Sequence, residues 1–289
     1  MKKFTSVFCL SLLLSGSIQA AKTKAIYGLD DRQEVASYPN KYIQKLAKSV
    51  AGSVSEFHLH ESAVEGYSDF SKTGLGDRIN ACPGERFSEQ PSLMSCTGFL
   101  VGTDLLVTAG HCMKTSDDCQ FNKWVFGFTS DKSLIYNKDI YGCKKVVARG
   151  EMTLPIIGTT DYAIVQLDRK VKDREPLKFR TSGRIKNGSD VLVIGHPMGL
   201  PMKIADNATV KGSFGKTFRT NLDTYGGNSG SPIINSKTGL VEGILVQGDR
   251  DYSYGETCTA SNYSTGHGEV VYKITRLKAL QKLFEDGKL

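Results

Sequence analysis

The sequence contains no C-x-x-C pair and no H-E-x-x-H, absences that leave a zinc site unsupported and remove the usual metalloprotease signature. It has no apolar run long enough to cross a bilayer; the longest lies near the N-terminus and is too short and wrongly flanked. Repeats at solenoid or propeller period and low-complexity tracts are missing as well. Lysines and arginines are scattered among acids, without the basic runs or aromatic platforms of nucleic-acid modules, so no nucleic-acid partner is expected. Proline is scarce, 8 in 289 residues, against 30 glycines, which leaves many backbone positions free for turns. With 39% hydrophobic and 23% charged residues the composition is ordinary and globular, which excludes disorder, collagen and coiled coil. The length allows one large domain or two small ones sharing a core.

The first apolar run has the marks of a secretory signal. Lys2 and Lys3 supply the positive end, Phe8 to Leu14 most of the apolar stretch, and Ser15, Ser17 and Ala20 the small-residue exit, with cleavage expected after Ala20. Removing residues 1–20 takes two lysines and lowers the formal charge from +7 to +5, only mildly basic. Cys9 leaves with the signal. The six remaining cysteines, Cys82, Cys96, Cys112, Cys119, Cys143 and Cys258, can form three disulfides in an oxidising compartment, with fifteen connectivities open from sequence alone. A secreted location, extracellular or periplasmic, with no membrane anchor is expected.

Residues 21–50 read as an N-terminal arm or short propeptide, polar through residues 29–34 and then helical in pattern at Tyr42, Ile43, Leu46, Ala47 and Val50. From about residue 92 short apolar bursts alternate with glycine-rich turns, among them Phe99-Leu100-Val101, Trp124-Val125-Phe126, Ala163-Ile164-Val165, Val191 to Ile194 and Val270-Val271-Tyr272. Their spacing, without helical patterns between them, predicts an all-β barrel or sandwich. Ile274, Leu277, Leu280 and Leu283 or Phe284 fall on one side of a C-terminal amphipathic helix.

Three patches carry chemistry. In Val107-Thr108-Ala109-Gly110-His111-Cys112 a strand ends in small residues and then presents an imidazole, although a single histidine is more often structural. Thr160-Asp161-Tyr162-Ala163 places a carboxylate just before a buried strand, where a loop cap is the plainer reading. Gly226-Gly227-Asn228-Ser229-Gly230-Ser231 surrounds a serine with glycines, so that Ser229 can be exposed while the N–H groups of Gly227 and Ser229 converge as an oxyanion hole. Alone, that string is as well read as a polar loop. The order His, Asp, Ser along the chain is the order found in the chymotrypsin group.

On these residues the chain resembles the chymotrypsin-fold, trypsin-like serine endopeptidases over about residues 26–289. Within them it resembles the bacterial glutamyl-endopeptidase-like branch, through Ile26 to Arg32, Ser95 to Val101, Gly195-His196-Pro197 and Leu222 to Ser229. The resemblance implies an all-β fold of two packed antiparallel six-stranded β-barrels, with a C-terminal α-helix and the N-terminal arm. The peptidase domain would span 51–289, the first barrel about 90–175, the second about 185–273 and the helix about 274–286. It also implies a disulfide between Cys96 and Cys112; Cys119–Cys143 is then expected because they flank the Trp124 strand, with Cys82–Cys258 left over. A triad of His111, Asp161 and Ser229 would hydrolyse protein or peptide substrates through an acyl-enzyme, without metal or cofactor, in a monomer.

Specificity is expected from Asp223, Thr224 and Leu245. Glutamate-specific relatives carry a histidine where Leu245 falls, and Leu245 cannot bind a carboxylate. Asp223, six residues before Ser229, takes the offset of the pocket acid of trypsin-like enzymes, which implies Arg or Lys at P1. Asn228 offers no charge to a new N-terminal ammonium. The alternatives are a glutamate-specific endopeptidase and a secreted, non-catalytic peptide-binding protein. His267 between two glycines reads as exposed, His58 and His60 as a solvated edge, and His196 as a turn residue.

Overall fold

A computed structural model describes residues 26–154, 158–263 and 268–289; the expected signal, residues 21–25 and His267 lie outside the described residues. Two closed six-stranded antiparallel barrels make up the fold. The first runs in the order Gly158–Leu167, Leu105–Thr108, Cys96–Leu100, Val50–Ser55, Asn122–Phe126 and Ile140–Leu154, closing on itself. The second runs Lys203–Phe214, Asp190–Gly195, Pro232–Asn235, Val241–Gln247, Glu269–Lys273 and Thr217–Thr220, closed by pairing of its first and last strands.

Both faces of many strands are buried, which explains why they read as continuous apolar bursts rather than as alternating patterns. In the first barrel Leu106, Ala163 and Val165 fill the interior, while Val107 and Ile164, one residue away, pack between the barrels. The second barrel repeats the rule, with Val191, Val193 and Ile233 inside and Leu192, Ile194 and Ile234 in the shared interface. Each such side chain, fully buried, contributes about 1.5–3 kcal/mol.

The first barrel begins at Val50 rather than near residue 90. Its strand Val-Ala-Gly-Ser-Val-Ser carries small residues because other groups press on it: a Cβ at Gly52 would lie 2.5 Å from Met94 Cγ and 3.0 Å from His196 Cδ2. Residues 56–95 then form an excursion whose strands Leu59–Glu61 and Tyr67–Phe70 make a small sheet with Ile135–Tyr136.

Residues 26–50 are built into the body of the protein instead of standing off as an arm. Arg32–Glu34 adds a strand to the edge of the second barrel, opposite Lys203 to Ala205. The side chain of Asn40 caps the helix Lys41–Ala47, accepting from the N–H of Tyr42 at 2.9 Å, and Ile43 and Ala47 pack into the inter-barrel core. The C-terminal segment divides, with a 3-10 turn at Ile274–Arg276 and an α-helix at Lys278–Glu285, because fully buried Leu277 ends the turn.

Three disulfides join Cys96 to Cys112, Cys119 to Cys143 and Cys82 to Cys258. Among the described residues no helix is long and apolar enough to cross a membrane.

Candidate active site

The strand Leu105–Thr108 ends one turn before His111. Gly110 makes the turn possible, since a Cβ there would lie 2.6 Å from the Gly150 carbonyl and 3.0 Å from Asp161 Oδ1. Asp161 lies within the strand Gly158–Leu167 rather than ahead of it, and is 6% exposed. Both its oxygens hold one residue: the His111 N–H donates to Oδ1 at 2.9 Å and Nδ1 lies 2.6 Å from Oδ2. An ionised carboxylate only accepts, so Nδ1 carries the proton and Nε2 is left with a lone pair. Cys112, disulfide-bonded to Cys96, holds the next position, and its Sγ lies 3.8 Å from the carbonyl oxygen of Ser229. In the chain-entropy model closing so short a loop stabilises by about 3 kcal/mol.

The Ser229 loop is pinned from the first barrel. Thr97 donates its N–H to the Ser229 carbonyl at 2.8 Å and its hydroxyl to the Gly227 carbonyl at 2.7 Å. Gly230, at φ +89°, brings the backbone so close that a Cβ would lie 2.0 Å from the Thr97 carbonyl. With the carbonyls turned toward Thr97, the N–H groups of Gly227 and Ser229 donate to nothing among the described residues, whereas those of Asn228, Gly230 and Ser231 are all bonded. Two free, neighbouring donors beside a serine can receive an oxyanion. Asn228 is buried with Oδ1 3.4 Å from Ser231 Oγ, while the Ile26 N–H donates to the Asn262 carbonyl.

Below the loop, His196 occupies a turn as expected but is fully buried. Its Nδ1 donates to the Leu200 carbonyl at 2.9 Å and Nε2 has no partner, so burial holds its pKa down at about 4.

Beside Ser229 lies a cavity of about 160 Å³ whose lining includes Thr224, Leu245, Asp249, Asp251 and Glu269. Asp223 is not part of it. Its Oδ1 and Oδ2 each accept a backbone N–H at 2.8 Å, from Tyr27 and Asp31, and burial raises its pKa to about 6. The built-in N-terminal segment thus takes the carboxylate that chain offset alone assigned to the pocket. Glu269 stands in the pocket instead. It is fully buried, accepts from the Thr224 hydroxyl, and lies 3.2 Å from the Tyr27 hydroxyl, which is equally close to Asp249 Oδ2. Burial pushes Glu269 up to about 8 and Asp251 up to about 6. Among the described residues no lysine or arginine lines the cavity. Thr97 lies within the Ser95 to Val101 stretch that carries the resemblance, without a role of its own there, and no motif marks Glu269; an acid opening the apolar run Val270-Val271-Tyr272 is its one sequence signal.

His58 and His60 are exposed on the excursion and lie outside this site.

The sequence profile of the trypsin-like peptidase domain matches residues 96–244. A curated relative, secreted RxLR effector protein 73 of Plasmopara viticola, is 30% identical over 152 residues, 48% of this chain and 38% of that protein, so the chain spans well under half of the relative's length. The fold is shared with the VesB protease of Vibrio cholerae, at TM-score 0.55 and 14% identity over 89% of this chain and 68% of that one. It is shared as well with human heparin binding protein, at TM-score 0.54 and 13% identity over 90% and 96%.

Proposed function

The chain belongs to the trypsin-like peptidase domain family, and from that premise we propose that it is a secreted serine endopeptidase that cleaves after arginine or lysine. The observation that carries the reading is the Asp161–His111 pair set beside a serine loop with two free N–H groups, over a pocket lined by carboxylates. His111 Nε2 takes the Ser229 proton as Oγ attacks the scissile carbonyl, and returns it to the leaving amine. Asp161 orients the ring and stabilises the imidazolium. The Gly227 and Ser229 amides receive the oxyanion, each such donor typically contributing about 2.7–4 kcal/mol to the transition state. Water, deprotonated by the same histidine, releases the acyl group.

The basic P1 preference rests on Glu269, Asp251 and Asp249 in place of Asp223. A buried carboxyl without a cation holds its proton, and a guanidinium or ammonium entering from substrate would ionise it and form a charge-assisted pair. Those carboxylates, with Leu245, argue against a glutamate at P1. The closer kinship to the glutamyl-endopeptidase-like branch rests on Ile26 to Arg32, Ser95 to Val101, Gly195-His196-Pro197 and Leu222 to Ser229. Export is supported by Lys2, Lys3 and the apolar stretch after them, and by the three disulfides.

A fluorophosphonate probe separates this reading from a non-catalytic binder. The purified protein should gain one adduct on Ser229 and Ser229→Ala none; absence of an adduct on the mature, folded protein would favour the binder.

A further inference from the structure

The strand Glu269–Lys273 has a second charged end. Side chains alternate along a strand, so Glu269, Val271 and Lys273 share one face, and Val271 packs in the interior of the second barrel. Glu269 therefore closes one mouth of that barrel and Lys273 the other. At the Lys273 mouth is a cavity of about 400 Å³ whose lining brings together Arg184, Lys273 and Arg276 with the hydroxyls of Ser182, Ser213 and Thr275, and no carboxylate.

Lys273 is 7% exposed, and its Nζ donates to the Gly215 carbonyl at 2.9 Å, which leaves two of its three N–H groups. Of the three lysines and arginines buried among the described residues, the other two have acids against them: Arg32 pairs with Asp30 at 2.7 Å and Lys203 with Glu34 at 2.9 Å. Lys273 instead faces Arg184 and Arg276, neither of whose guanidinium groups has an acceptor among the described residues. Burial and those two cations hold its ammonium below the usual lysine range. A buried charge ordinarily has a partner of opposite sign, and here the described residues supply none.

We propose that this cavity binds a tetrahedral oxyanion, a sulfate or phosphate group, free or carried on a larger ligand. The Lys273 ammonium would stand at its base, the Arg184 and Arg276 guanidiniums at its rim, and the serine and threonine hydroxyls would donate to the remaining oxygens. The cavity shares no lining residue with the one beside Ser229 and does not depend on the peptidase reading.

The test uses mature Ser229→Ala protein, titrated calorimetrically with sodium sulfate and with inorganic phosphate at constant ionic strength held by sodium chloride, and separately with a sulfated oligosaccharide. Saturable binding is expected, weakened tenfold or more in Arg184→Gln/Arg276→Gln, whose two sites are exposed and should leave folding intact. Lys273→Met should abolish it. If that variant does not fold, the double variant decides alone. An oligosaccharide that binds at least tenfold tighter than the free ions, through the same arginines, would identify a sulfated polymer as the source; equal affinities would identify the free ion. A response no different from that to chloride, or equal affinity in the double variant, would overturn the proposal.

Discussion

The two mouths of the second barrel hold ionisable groups of opposite kind, each without a partner of opposite charge among the described residues. At one, buried Glu269 stands beside Asp249 and Asp251; at the other, buried Lys273 stands beside two exposed arginines, and among the described residues the first lining holds no cation and the second no acid. Four residues of strand put them about 13 Å apart at ~3.3 Å per residue, too far for either to neutralise the other. Elsewhere the same barrel buries charge in pairs. Arg32 with Asp30 braces the N-terminal segment internally, Lys203 with Glu34 ties it to its edge strand, and both cations stack against Phe87. The contrast separates charges that hold the chain together from charges left for something outside it to complete. In the proposed reading the group that completes the Glu269 mouth arrives beside the Ser229 hydroxyl, and the one that completes the Lys273 mouth does not.

The largest expected effect concerns the nucleophile, without which the acidic mouth is only a binding pocket. Ser229→Ala should lower kcat on an arginyl amide substrate by roughly 10⁶-fold, and Asp161→Asn by about 10⁴-fold with KM little changed. Retained turnover in Ser229→Ala would move the chemistry elsewhere.

Next in size is the charge of the pocket itself. Glu269→Gln should cut kcat/KM for arginyl and lysyl substrates by roughly 30-fold or more, since breaking one partner of a buried charge pair costs about 2–5 kcal/mol, while neutral P1 substrates lose little. Benzamidine should inhibit the parent more strongly as pH rises toward 8, because Glu269 must give up its proton to pair with the amidinium. That dependence should flatten in Glu269→Gln. An unchanged selectivity would place the P1 determinant on Asp249 or Asp251.

Thr97 tests how firmly the nucleophile loop is held. Thr97→Val removes the hydroxyl that holds the Gly227 carbonyl and receives the His196 N–H, leaving buried groups unpaired at a cost of about 1–3 kcal/mol. A tenfold fall in kcat with smaller change in KM is expected; an equal fall in kcat for Thr97→Ser would argue that packing, not the hydrogen bond, matters.

The smallest effect is on stability, measured in the Ser229→Ala background to avoid self-digestion. A carboxyl whose folded pKa is raised to about 8 favours the folded state least when ionised, so the Glu269 contribution is lost as pH rises from about 4.5 through 8. Glu269→Gln should therefore melt above its parent at pH 8 and with it at pH 4.5, each kcal/mol shifting Tm by roughly 2–4 °C. His196 works in the other direction. Its folded pKa of about 4 lies below the usual 6.5, so stability is lost as pH falls through that interval.

How much of this was legible in the sequence depended on whether local chain geometry fixes the outcome. Gly110 and Gly230 stand where a Cβ would strike backbone, so the small-residue patches around His111 and Ser229 announced themselves. Apolar bursts announced most strands of both barrels, because two-sided burial demands them. The strand Val50–Ser55 stayed hidden, since its packing partners require small residues that give no hydrophobic signal. Asp223 misled for a different reason. Its place in the chain could be counted, but the direction of its carboxylate was decided by Tyr27 and Asp31, nearly two hundred residues away in sequence. Glu269 follows Ser229 by 40 residues and bears no motif, so only the closed barrel brings it to the pocket.

The most direct measurement is to expose the mature protein, Ser229→Ala and Glu269→Gln in parallel to a diverse peptide pool and sequence every new terminus. The account predicts cleavage after arginine and lysine by the parent, none by Ser229→Ala, and a loss of the basic preference in Glu269→Gln. Cleavage by the parent chiefly after glutamate or apolar residues, or a cleavage pattern that survives Ser229→Ala, would contradict it.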